Sequence, residues 1–455
     1  MCHRIALALL ILGAVSVSAE AAEWNVGVSK IVITPESPTW LSGYGSRDKP
    51  AEGKVHELYA KALAFESTEG DGTRLVLVTC DLGSMHYGIV RPVAEQIEKQ
   101  HGLPASQLVI NVSHTHCAPE VAAERPVFHN LTAESEAALA AYIDEQLVPK
   151  LIKLVGEALD DLGPAKILIS QSTATFGKCR RFPTDEGFVN RQYDEGITED
   201  DVPVMQIVAP NGRLRAVMFG YACHNTTLAF YQYCGDYAGF AQYNVEAAHP
   251  GAVALFMMGC GGDQNPYPRH GPKGLEYCRQ HGRELADAVE RAMQGEATEV
   301  HGPLRVAHDT VNLALEPLPP REQLERDAET GSGYAQRKAR YLLDELDTRG
   351  RVMTEQPCPL TVARFGKELL FIAISGETVV DYSRTSKAEF AGPMVWVAGY
   401  CTDVFAYLPS QRVLLEGGYE GRTGIVHQLT PTPFTPAVEE TVMGGIRQLV
   451  KQVSQ

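Results

Sequence analysis

Short apolar, β-branched runs alternate along the chain with longer stretches in which apolar positions recur every three to four residues. The first pattern fits strands covered on both faces and the second fits amphipathic helices, so the alternation predicts an α/β or mixed α+β fold, a mixed β-sheet core covered by helices. Strands are predicted at residues 26–33, 59–65, 74–80, 108–112, 166–171, 204–208, 214–223, 253–258, 304–311, 360–364, 369–374 and 394–398. Helices are predicted at 89–100, 134–159, 275–293, 321–346, 378–386 and 436–453. Asn211-Gly212 between two of the strands is a hairpin signal, so the sheet is not purely parallel. The strongly charged stretch 321–346 is predicted to be a solvated outer face.

The apolar runs end on a narrow choice of residues. Asp81 follows Cys80, Ser113-His114-Thr115-His116 follows Val112, and His224 follows Cys223. Gly259-Cys260-Gly261-Gly262-Asp263 follows Met258, Ser375-Gly376-Glu377 follows Ile374, and Gly399-Tyr400-Cys401-Thr402-Asp403 follows Ala398. A single cleft at the strand ends would collect these groups, as open α/β sheets do, whereas chance would scatter them. Side chains two apart on extended backbone point to opposite faces, so His114 and His116 can serve one metal only if the chain bends between them. One is therefore expected to be a ligand and the other a proton-transfer or supporting group.

Composition narrows the setting. Arg4, an apolar stretch over 5–17 and Ala19-Glu20-Ala21 read as a secretory leader, residues 1–21, with the mature chain starting near Ala22 in a secreted or periplasmic location. No later run approaches the roughly 20 apolar residues of a membrane-spanning helix. The formal charge of -16 argues against nucleic acid and against electrostatic docking on anionic membranes. No linker, repeat or low-complexity tract divides residues 22–455, which read as one large catalytic domain. Beyond the leader's Cys2 the cysteines are Cys80, Cys117, Cys179, Cys223, Cys234, Cys260, Cys278, Cys358 and Cys401; none forms a Cys-x-x-Cys pair, and most are expected to be small buried hydrophobes.

Histidine and carboxylate at one cleft of an exported protein point first to zinc, whose catalytic sites use about three protein ligands and leave a position for water. Hydrolysis is the first reaction class to consider. The chain lacks a His-Glu-x-x-His helix and the metallo-β-lactamase continuation after His116. It does resemble the neutral (non-lysosomal) ceramidase family. The family's Ser-His-Thr-His-Ser-Gly-Pro is matched by Ser113-His114-Thr115-His116-Cys117-Ala118-Pro119, and its second histidine with a following Ser-Gly-Asp-x-x-Gly-Tyr by His224 and Cys234-Gly235-Asp236-Tyr237-Ala238-Gly239-Phe240. Its Gly-Asp-x-Ser-Pro corresponds to Gly262-Asp263-Gln264-Asn265-Pro266, its Pro-Gly-Glu to Ser375-Gly376-Glu377, and its late Gly-Leu-x-Asn-x-Tyr-x-x-Tyr to the stretch from Gly399 to Tyr407.

The resemblance implies one zinc per chain held by His114, His224, Glu377 and Tyr407. It also implies His116 in proton transfer, Arg180 in substrate binding with Arg181 as its neighbouring rival, Tyr419 facing the scissile amide, and Asp263 ordering the site floor. The implied partner is a small-molecule lipid amide, ceramide or a related N-acyl lipid, with transient contact at a membrane surface. Two departures stand out. Asn265 replaces the family serine, which implies altered specificity, and the residues after Tyr407 are too few for the family's carboxy-terminal immunoglobulin-like domain, so the catalytic domain alone is expected. Two other readings stay open: a two-metal phosphoesterase using Asp81, His114, His116, His224, Asp236 and Asp263, and a non-catalytic zinc-stabilised binding protein.

Overall fold

The computed structural model describes residues 23–455 apart from residues 124 and 130, so the expected leader lies outside the described residues. A nine-stranded mixed sheet runs from Val253–Met258 through Leu214–Tyr221, Asp201–Val208, Gly163–Thr173, Trp24–Val32, Tyr59–Ser67 and Arg74–Cys80 to Leu108–Val112, with Thr298–Val300 paired to the fourth of these. The outermost pair at each end is parallel, while the central pairs are antiparallel. The Asn211-Gly212 turn joins an antiparallel pair, as its type requires.

This sheet curls until its two edges meet. The Asn111 carboxamide joins them: its nitrogen donates to Met258 O at 3.2 Å, and its oxygen accepts from Met258 N at 2.8 Å. An apolar strand with one buried amide thus satisfies backbone groups that two open edges would leave exposed. A second sheet, Leu304–Ala314, Glu355–Phe365, Leu369–Ile374 and Met394–Ala398, packs against the first. Between them Phe365 stacks near Trp24 and Phe65, at ring separations of 5.7 and 5.3 Å. Helices Tyr87–His101, Val148–Asp160, Asp236–Ala248 and Gly274–Gln294 cover the other face of the large sheet, and Val438–Val453 covers the small one.

The predicted strands are present, five of them with the expected ends: Arg74–Cys80, Leu108–Val112, Val253–Met258, Leu369–Ile374 and Met394–Ala398. The expected helix at 134–159 forms with a widened turn, Tyr142–Leu147, just before Pro149, whose ring and missing N–H cannot continue an ordinary ladder. The expected helix at 321–346 is instead two, Arg321–Thr330 and Gly333–Arg349, broken at Gly331-Ser332. Nor is it only a solvated face: Lys338 is buried and donates to Gln428 O and Thr430 O, and Tyr334 stacks on Phe128. Helix Asp236–Ala248 has no counterpart among the predicted elements, because it is buried on several sides and so shows no apolar stripe. No helix among the described residues is long and apolar enough to cross a membrane. The nine cysteines among the described residues are free and buried, as small hydrophobes.

Candidate metal centre

His114 has φ 61°, a left-handed conformation that is strained for histidine and turns the chain sharply where the strand Leu108–Val112 has ended. That bend brings both imidazoles to the same side: His116 Nε2 lies 3.1 Å from His114 Nε2. Gly43, at φ 86°, is what leaves room for this arrangement, since a β-carbon there would sit 2.1 Å from Cγ of the His116 ring. His224 follows the strand Leu214–Tyr221, whose neighbour Val253–Met258 is the edge joined to Asn111. The closing of the first sheet therefore carries His224 to His114, with ring centroids 4.7 Å apart.

The second sheet supplies the remaining groups. Beyond its strand ends the short segments Glu377–Thr378 and Tyr407–Leu408 pair in parallel with Glu377 opposite Tyr407. Ser375 Oγ shares its one proton between Cys401 O at 2.8 Å and Pro359 O at 2.9 Å, tying the two loops that lead there. Glu377 Oε2 then lies 3.2 Å from His114 Nε2 and 3.5 Å from His224 Nε2. The ligand-type atoms of His114, His224 and Glu377 all fall within 4.8 Å of one another, and all three residues are buried.

Proton placement shows what these atoms lack. His114 Nδ1 faces Gly83 O at 2.6 Å and His224 Nδ1 faces Gly261 O at 2.7 Å, and a carbonyl can only accept, so each Nδ1 carries a proton. Burial, then the Arg180 charge, hold His224 down at about 3, so its Nε2 presents a lone pair. Glu377 Oε2 is buried with no hydrogen-bond partner. The His224 lone pair and the unpartnered carboxylate oxygen beside it would both be satisfied by a cation set between them, and oriented Nδ1–H groups are the usual support of zinc-binding histidines. The residues present fit a divalent metal.

Arg180 lies behind this set, 4% exposed. Its Nε donates to Glu420 Oε1 at 2.7 Å, one terminal nitrogen approaches His224 Nε2 and Asn265 Oδ1 at 3.2 and 3.3 Å, and the other donates to the Tyr407 hydroxyl at 3.1 Å. Arg181 instead points away, to Glu420 Oε2 at 2.6 Å and to Glu416 and Gly417. Between the two candidate arginines, Arg180 is the one at the centre. Glu420, which no motif or periodicity singles out, holds both guanidinium groups. Tyr419 lines the pocket with its hydroxyl 3.2 Å from His427 Nε2 and its ring 5.3 Å from Tyr407. Asp263 is buried beneath, its Oδ1 accepting from Val380 N at 3.0 Å just past Glu377, and burial pushes its carboxyl up to about 7. Burial, then His114 and His224, hold His116 well below the usual imidazole range.

Two carboxylates considered for a second metal are committed elsewhere. Asp81 accepts from Tyr59 N and Gln242, and Asp236 accepts from Thr227 N and Leu228 N. The pocket at the ligand set has a volume of about 60 Å3 and is lined by Ser42, Ser84, His116, Phe128, Glu377 and Tyr419 among others.

Residues 24–257, just over half of the chain, match the family model for the N-terminal domain of neutral/alkaline non-lysosomal ceramidases. Over 217 residues the chain is 24% identical to the neutral ceramidase of Drosophila pseudoobscura pseudoobscura, and over 215 residues 25% identical to that of Drosophila melanogaster. Each match takes in 46% of this chain but only 30% of the relative, so the chain spans under a third of the length of these relatives. The crystal structure of neutral ceramidase from Pseudomonas aeruginosa superposes with a TM-score of 0.72 at 18% identity, covering 94% of this chain and 74% of that one. A ceramidase complexed with C2 superposes at 0.70, also at 18% identity, covering 94% and 76%. At that identity the two structures establish a shared fold, while the family match runs through His114, His116, Arg180 and His224. On that match the protein belongs to the neutral/alkaline non-lysosomal ceramidase family.

Proposed function

We propose that this protein is an exported zinc-dependent amidohydrolase that cleaves the amide bond of ceramide or a related N-acyl lipid. The observation that carries the reading is the convergence of His114, His224 and the unpartnered Glu377 oxygen on one pocket of a ceramidase-family chain. One zinc ion would be held there by these three residues and Tyr407. Such an ion supplies Lewis-acid polarisation of a carbonyl and a nucleophile drawn from water at neutral pH.

The chain's own groups divide the remaining work. His116, whose Nε2 reaches the same pocket beside His114, would take the proton that the attacking water gives up and pass it to the departing amine. Tyr419, which lines the pocket with its hydroxyl beside His427 Nε2, would donate to the oxygen on which negative charge develops. Arg180 fixes the Tyr407 hydroxyl and keeps a positive charge behind the ligands. Asp263 positions the backbone that follows Glu377. A pocket of about 60 Å3 is far below the ~300–1,000 Å3 that enclose a whole drug-sized ligand, so it takes in the amide and its nearest substituents and leaves long tails outside.

Asn265 shapes the substrate choice. Its Oδ1 meets Arg180 and Thr226, and its nitrogen approaches Asn190 at 3.4 Å, so the carboxamide is woven into the wall, and it cannot accept an acyl group. Hydrolysis therefore proceeds without a covalent intermediate at this position. The test is turnover of fluorescent ceramide, shorter N-acyl amines and phosphoesters, with and without a chelator, by the wild type and Asn265→Ser. Chelator-sensitive amide cleavage is expected, with a gain on ceramide in the variant. Phosphoester cleavage without amide cleavage would overturn the reading, and equal, efficient ceramide turnover by both proteins would remove the specificity role of Asn265.

A further inference from the structure

A larger cavity, about 440 Å3, lies behind the catalytic pocket between helix Tyr87–His101 and the second sheet. Two chain segments form the partition. Gly83, Ser84 and Val404 line the catalytic pocket, Tyr87, Thr402 and Asp403 line the larger cavity, and Val404 N donates to Met85 O at 2.8 Å across the wall. The two spaces share no lining residue.

The chemistry of this cavity is lopsided. Its walls are the buried Val90, Ala94 and Leu108 on one side and Pro357 and Pro359 on the other. Its charged groups are Asp403, Glu95 and Glu98 against the lone guanidinium of Arg91, which sits 3.9 Å from Glu95. His308, also at the wall, is held below its usual range by burial and so adds no positive charge at neutral pH. The first amide of the helix, Tyr87 N, is turned to Asp403, and those of Gly88, Ile89 and Val90 are taken by His86, so the helix end offers nothing to an anion. The volume falls within the ~300–1,000 Å3 of small-molecule sites.

We propose that this cavity binds a primary ammonium amphiphile, with its charged head against Asp403 and its alkyl chain along Val90, Ala94, Leu108 and the two prolines. Burial pushes the Asp403 carboxyl up to about 7, and an ammonium beside it relieves that cost of ionisation. A fatty carboxylate of the same length meets three carboxylates and is rejected, and an alcohol lacks the charge that Asp403 selects.

The probe is n-octylamine, titrated calorimetrically at pH 8 into the full chain, with octanoate and 1-octanol as comparators. The variants are Asp403→Asn, which keeps an acceptor for the Tyr87 amide, and Ala94→Phe, which fills the cavity; circular dichroism checks that each is folded. The expected result is saturable binding of one octylamine per chain, weakened at least about tenfold by Asp403→Asn, abolished by a folded Ala94→Phe, and absent with octanoate. No saturable octylamine binding, octanoate or octanol binding as tightly, or octylamine affinity unchanged in Asp403→Asn would each overturn the proposal. If Ala94→Phe does not fold, the Asp403→Asn comparison decides alone.

Discussion

His114 and His224 hold their Nδ1 protons against backbone carbonyls and turn their Nε2 atoms toward Glu377. With the Nδ1–H groups fixed in this way, the rings need no reorganisation to take a metal, which predicts tight retention that depends on each of them. Elemental analysis is expected to show about one zinc per chain in the wild type and clearly less in His224→Ala. His116 has a different dependence. Its Nδ1 is buried without a partner and its Nε2 reaches the pocket beyond the 4.8 Å cluster, so it is placed for proton transfer more than for retention. His116→Ala should keep its zinc and lose about 10² to 10⁴-fold in turnover; a variant that loses the metal instead would exchange the roles of the two histidines. That His114 and His224 stand at strand ends is legible in the sequence, because each follows an apolar run. That both members of His-x-His reach one pocket is not, because it depends on a left-handed His114 and on the space above Gly43.

The hairpin Gly177–Thr184 and Gly187–Tyr193 shows why some elements escape a pattern reading. Its sequence is charged, and its buried groups are two arginines, Arg180 and Arg181, beside Cys179, so no apolar alternation marks it. What stabilises it is Glu420, 4% exposed, which bridges the two arginines from the short helix Gly418–Gly421. Glu420→Gln leaves Arg180 with only neutral partners and Arg181 with Glu416 as its one remaining carboxylate, and removing one partner of a buried ion pair typically costs about 3–5 kcal/mol. Urea unfolding is expected to show a loss of that order, and the variant should bind zinc less firmly because Arg180 no longer fixes Tyr407. A loss under 1 kcal/mol, in the range of an exposed pair, would show the bridge to be incidental. The same lesson applies to Arg321–Thr330 and Gly333–Arg349, where charge predicted a solvated face and Tyr334 and Lys338 turned inward.

For the molecule as a whole, the two sheets meet at their strand ends, and that junction carries buried acids. Asp403 is one, raised by burial to about 7, with Arg91, Glu95, Glu98 and His308 around the same cavity and the Tyr87 amide donating to it. A carboxyl with a pKa near 3.9 when unfolded and about 7 when folded binds its proton more tightly in the native state. Its contribution to stability is therefore full below about pH 4 and is lost as pH rises toward 7. Asp403→Asn removes this dependence. Urea midpoints measured from pH 4 to pH 8 are expected to fall less with pH in the variant than in the wild type; parallel curves would show that Asp403 titrates normally.

The sequence by itself determined most strands of the two main sheets, most helices, the mixed sheet and the position of His114, His224, Asp263 and Glu377 at strand ends, because burial periodicity and the residue that ends a strand are local properties of the chain. The family resemblance, carried by motifs in order along the chain, added Tyr407, Tyr419 and Arg180, which no periodicity marks. Only the tertiary structure decided which of these meet. The curl that joins Asn111 to Met258, the parallel register that sets Glu377 beside Tyr407, and the Glu420 bridge between Arg180 and Arg181 all link residues far apart in sequence. Such contacts depend on how two sheets pack, and no local pattern encodes them.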